Sequence, residues 1–87
     1  MKLLGAVIKE QGVVFAVVMV KHHVVQSASE AAKAAAQFRV LFPGKPIVLA
    51  AQDSRGRFEY RGRQDLIDFL ASIHPSQIPW KEYTVSS

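Results

Sequence analysis

The chain has 87 residues, no cysteine and a formal net charge of +4, with a sequence pI near 9.8. A single domain of this length buries about 60 to 65% of the surface its unfolded chain exposes, so modest stability is expected. The absence of cysteine excludes disulfides and cysteine-based metal or redox sites and makes the cytoplasm the default location, while the basic balance is a mild bias towards polyanions.

Residues 1–8 combine Lys2 with a short apolar run, an outline shared with signal peptides, but Lys9, Glu10 and Gln11 interrupt it and no small-residue cleavage site follows. The next apolar run, 13–20, is far shorter than the roughly 20 residues of a membrane span. Neither is expected to be a targeting or membrane segment. Residues 3–8 and 13–20 read instead as the two strands of a hairpin, separated by Lys9, Glu10, Gln11 and Gly12, with Gly12 in the turn. A helix is the rival reading of so apolar a run, but Val13, Val14, Val17, Val18 and Val20 are stiff at χ1 and suit a pleated surface.

Neither strand alternates between apolar and polar. Val13, Phe15, Val17 and Met19 would face one way and Val14, Ala16, Val18 and Val20 the other, so both faces of the sheet need cover. Either one helix lies on each face, or both lie on one face and a second subunit covers the other.

Lys21, His22 and His23 end the second run, and Val24 and Val25 either prolong the strand or lead away from it. Ser27 and Glu30 have the spacing of a capping box, which predicts a helix from this point. Ala28, Ala31, Ala32, Ala35, Phe38 and Phe42 line one side of it, opposite Glu30, Lys33 and Gln37. Pro43, Gly44 and Pro46 should end it near Phe42.

Residues 46–70 organise the rest. Ile47, Val48, Leu49, Ala50 and Ala51 form a buried strand opened by Pro46. Asp53, Ser54, Arg55 and Gly56 suit a type I turn closed by a left-handed glycine, and so a bulged hairpin. In the return strand Phe58 and Tyr60 should face the core and Arg57, Glu59 and Arg61 the solvent. Gly62 breaks this strand. A second helix starts near Arg63, with Leu66, Ile67, Leu70 and Ile73 inward, Asp68 and Ser72 outward, and Asp65 in the first turn, where it suits the helix dipole.

The predicted fold is therefore a single small α+β domain of order β-β-α-β-β-α, with a mixed or antiparallel four-stranded sheet and two helices. The strand order is either 2-1-3-4, all antiparallel, or 1-2-3-4, with a parallel pair in the middle, and the crossover should be right-handed. Residues 1–75 form the core and 76–87 an aromatic tail packed on it, anchored by Ile78 and Trp80, with Tyr83 and Val85 able to add a short edge strand.

No catalytic or ligand motif rises above chance, and no cofactor or metal is expected. His22 and His23, adjacent on an extended chain, would point to opposite faces and could not chelate one ion together, and His74 lies far from both. Asp53, Glu59, Asp65 and Asp68 have structural tasks, as do Ser27 and Ser29; Ser54 lacks a nucleophile-elbow frame.

Arg55, Arg57, Arg61 and Arg63 are the candidate polyanion-binding residues, with Lys45 and Lys81 as outliers, although a solvated or salt-bridged strand face explains them more simply. Trp80 and Tyr83 are candidate partner contacts, set against a core-capping role. The expected function is a non-catalytic, self-associating protein-interaction domain, a homodimer motivated by the two-faced apolar strands. The alternative is a nucleic-acid-binding module using the arginine-rich hairpin. An enzyme whose site assembles from residues distant in sequence is the third class.

Overall fold

The computed structural model describes residues 2–10 and 12–84. Strands β1 (Lys2–Glu10) and β2 (Val13–Met19) form the expected antiparallel hairpin, in which Glu10 pairs with Val13. Gln11, expected in this turn, lies outside the described residues. The chain then turns into a short helix, α1 (His22–Gln26), and a longer one, α2 (Ala28–Phe38). Strands β3 (Ile47–Gln52) and β4 (Phe58–Arg61) follow, then helix α3 (Gln64–Ala71), a 3-10 turn at Pro75–Gln77, and strand β5 (Lys81–Thr84).

The sheet order is β4-β3-β2-β1-β5. Of the two orders open from the sequence, the one with the parallel pair holds: β2 and β3 run parallel, while β3 and β4 pair antiparallel, as do β1 and β5. The expected four strands become five because the aromatic tail itself supplies β5. Tyr83 lies on that strand, whereas Val85 lies outside the described residues.

β2 lies in the middle of the sheet and, like β3 beside it, is buried on both faces along most of its length. Phe15, Ala16, Val17 and Val18 are all at 0% exposure. One face of the sheet, with Leu3, Ala16, Val18, Leu49 and Ala51, packs under Val25, Ala31, Phe38 and Phe42 from the α1–α2 connection. The other, with Ala6, Phe15, Val17, Val48 and Ala50, packs under Leu66, Leu70 and Ile78. Each buried Val, Leu or Phe contributes about 1.5 to 3 kcal/mol, so the two layers stabilise the fold jointly. Helices thus cover both faces, the first of the two arrangements the apolar strands allowed.

Several boundaries differ from expectation, each for a local reason. His22 to Gln26 is helical rather than extended, because the crossover to a parallel strand must leave the sheet at once. Ser27 ends α1 and caps α2: its Oγ accepts the Glu30 N–H at 3.3 Å, the backbone half of the predicted capping box. Helix α2 stops at Phe38, and the chain continues to Phe42 through turns, with the Leu41 and Phe42 N–H groups both donating to the Phe38 carbonyl. The β3–β4 hairpin forms as predicted. Gly56 has φ +83° and donates to the Asp53 carbonyl at 3.0 Å.

The Cα radius of gyration is 12.1 Å. A compact chain of this length is expected near about 12 Å.

Candidate functional site

The hairpin arginines do not form one patch. Asp53 Oδ1 accepts the N–H groups of Arg55 at 2.8 Å and Arg57 at 2.9 Å, which fixes the turn. Those bonds, led by the Arg57 N–H, hold the Asp53 carboxyl below the usual aspartate range, and the Arg57 side chain adds to this through an ion pair at 3.3 Å. Of the four candidates, only Arg55 has a side chain with neither ion pair nor hydrogen bond among the described residues.

Arg61 and Arg63 lie at the other end of β4, roughly 13 Å away by strand rise. Strand alternation aims Arg57, Glu59 and Arg61 at the face that carries α1, so this side is less wet than the sequence suggested. Arg61 Nη1 donates to the Val25 carbonyl at the end of α1, at 3.0 Å, and Glu59 Oε1 lies 3.2 Å from His22 Nε2 on the same helix. Arg63, just before α3, donates from Nε and Nη2 to the Asp65 carboxylate at 3.1 and 2.8 Å, a fork that lowers the Asp65 pKa.

Arg61 and Arg63 share a cleft of about 410 Å³ with a third arginine that the sequence reading passed over. Arg39 follows the last turn of α2, and its side chain has no ion pair or hydrogen bond among the described residues. The floor is formed by Ala28, Ala31, Ala32 and Ala35 on one helix face, and the facing wall by Pro46, Ile47 and Leu49. Only the tertiary fold brings residues 39 and 61 together. The sequence signal beside the cleft was the alanine spacing, which implied close approach of the helix to the sheet; the structure leaves a cleft along those alanines instead.

The two aromatic tail candidates are both half-buried. Trp80 stacks on Phe58, with ring centroids 6.4 Å apart, and Phe58 in turn stacks on Tyr60 at 6.2 Å. Tyr83 meets Phe42 edge to face at 5.2 Å, with Lys81 Nζ 5.8 Å from its ring centre. Both rings cap the two apolar layers.

The outer edge of β1 is less completely covered. β5 pairs with it only from Lys2 to Gly5, because Pro79, just before Trp80, carries no N–H with which to continue a ladder. Among the described residues no strand lies outside Ala6 to Glu10. Val7 and Val14 sit on the α1–α2 face beyond the reach of those helices, 41% and 37% exposed, and Leu4 is 45% exposed on the opposite face.

The remaining candidates are local. His22 and His23 open α1, where neighbours still diverge in direction. His74 caps the 3-10 turn, its Nδ1 accepting the Ser76 N–H at 3.1 Å while its own N–H donates to Gln77 Oε1 at 2.9 Å. Asp68 accepts from Gln64 at 2.8 Å. Among the described residues no three His, Cys, Asp or Glu side chains are grouped to hold a metal, and no helix is long and apolar enough to cross a membrane.

The fold defines a small α+β domain in which one mixed sheet is clad by helices on both faces. Compared with protein-family models, curated proteins and solved structures, the chain matches none.

Proposed function

We propose that the domain is a non-catalytic interaction module that associates with a second copy of itself along the outer edge of β1. The observation that carries this reading is the stretch Ala6 to Glu10, which lacks a neighbouring strand among the described residues and is flanked by exposed Val7 and Val14. An open strand edge presents unpaired N–H and C=O groups, and a second strand added there satisfies them. A two-fold axis pairs the stretch antiparallel with itself, so donors on one copy meet acceptors on the other. Lys9 and Glu10 leave the stretch with no net charge, so two copies meet without repulsion.

The partner surface is therefore the end of the sheet rather than a bare sheet face. The nucleic-acid alternative has less support, since the four arginines are split between the two ends of β4, with Glu59 between Arg57 and Arg61 on the same strand face, and form no continuous basic track.

Sedimentation equilibrium across a concentration series, at low and high salt, tests the reading. The expected result is a dimer insensitive to salt, converted to monomer by Val7→Lys with the circular dichroism spectrum unchanged. A monomer at every concentration would overturn it. Nucleic acid carried through purification, with binding that falls steeply with salt, would favour the alternative.

A further inference from the structure

We infer that the alanine-floored cleft between α2 and the ends of β3 and β4 binds a small phosphate-bearing molecule with an apolar body. The cleft lies towards the opposite side of the sheet from the β1 edge, so this inference is independent of self-association.

Three arginines line it, Arg39, Arg61 and Arg63, and no acidic residue is among the lining residues. Asp65, outside the lining, engages Nε and Nη2 of Arg63. Arg61 commits one bond, from Nη1, to the Val25 carbonyl. A guanidinium carries five N–H groups, so both side chains are held in place with donors still free. Holding them beforehand lowers the ordering entropy that an incoming anion must offset. Arg39 adds a charge with no partner among the described residues.

Geometry favours phosphate over a lone carboxylate. Planar guanidinium forks match phosphate oxygens in pairs, and several forks around one cleft can engage several oxygens of one dianion. The apolar remainder of the ligand has its own place. Ala28, Ala31, Ala32 and Ala35 recur along one face of α2 and present only methyl groups, so a trench remains against Ile47 and Leu49. Its volume, about 410 Å³, lies within the range of roughly 300 to 1,000 Å³ typical of small-molecule sites.

An extended nucleic acid fits less well. A backbone track from this cleft to the hairpin arginines would have to pass Glu59, which lies between Arg57 and Arg61 on the same strand face.

Calorimetric titration at low salt with phenyl phosphate, inorganic phosphate and a short single-stranded DNA oligonucleotide tests the assignment. Phenyl phosphate should bind more tightly than inorganic phosphate, because only it fills the trench. Arg39→Gln should weaken it by about tenfold, as loss of a charged hydrogen-bond donor does. Ala32→Leu, at an exposed helical position where Leu keeps the helix and the charge, should abolish the advantage of phenyl phosphate over inorganic phosphate. Arg55→Gln, at the far end of β4, should change nothing. The assignment is overturned if phenyl phosphate shows no binding at millimolar concentration, or if Arg55→Gln weakens it as much as Arg39→Gln does. It is equally overturned if the oligonucleotide binds more tightly than phenyl phosphate.

Discussion

Tyr60 shows what one strand position can impose on a small core. Alternation turns it towards α3, where its ring stacks on Phe58, but its hydroxyl oxygen is buried and has no hydrogen-bond partner among the described residues. Burial raises its pKa above the ordinary tyrosine value. A group with a raised folded-state pKa contributes stability that is complete below the unfolded value, about 10, and is lost as pH rises through the folded one. Tyr60→Phe removes the unpaired hydroxyl and keeps the stack. We expect it to stabilise the fold by about 0.5 to 1 kcal/mol, since an unsatisfied buried polar group costs about 1 to 3 kcal/mol and some of that is recovered. The stability lost above about pH 10 should shrink in parallel. Urea titrations at pH 7 and pH 10.5 would measure both effects, and an unchanged midpoint at both pH values would contradict them.

At the scale of elements, the decisive joint is the passage from β4 to α3 at Gly62. A Cβ there would lie 3.1 Å from the Ile47 carbonyl oxygen and 3.2 Å from the Val48 Cα, both backbone atoms of the neighbouring strand. Glycine lets the chain leave β4 tight against β3 and carry α3 onto the opposite face from α2. Gly62→Ala should therefore force β3 and the joint apart, with a loss of about 1 to 3 kcal/mol, typical of overpacking. A lower urea midpoint at constant slope would report this loss. An unchanged midpoint would mean that the joint yields at no cost. The same joint puts Arg61 and Arg63 on either side of Gly62, so the cleft and the fold depend on one close approach.

For the whole molecule, acid stability follows from the carboxylates that the fold has engaged. Asp53 and Asp65 both have pKa values lowered in the folded state, the first chiefly by the Arg57 N–H and the second by the Arg63 side chain. A lowered folded-state pKa contributes stability that is present above the unfolded value, about 3.9, and disappears as pH falls through the folded one. Unfolding midpoints should therefore be flat near neutrality and decline below about pH 4. The double variant Asp53→Asn with Asp65→Asn should show a shallower acid decline, and an equally steep one would assign the loss to other groups. With helical layers on both faces, the self-association proposed above would rest on the β1 edge, so the acid decline and any monomer–dimer balance should respond to different substitutions.

Much of the fold could be read from local chemistry. The alternation of Phe58 and Tyr60 against Glu59 and Arg61, the Asp53-to-Gly56 turn, the Ser27 cap and the inward set Leu66, Ile67 and Leu70 each follow from neighbours within a few positions. The two-faced apolar strands implied cover on both sides. Their sequence could not say whether helices or a second subunit supplied it, because burial has no direction in sequence. The candidate sites were less legible. Four arginines close in sequence are split between the two ends of β4, while Arg39, distant in sequence, joins two of them. The chain by itself thus determined its local elements and their apolar faces, through dihedral preference, turn chemistry and hydrophobic period. The tertiary structure alone decided the parallel β2–β3 pair, the helix on each face, the strand made from the tail and the arginine cleft, because each depends on segments far apart in sequence meeting where backbone pairing and burial are satisfied together.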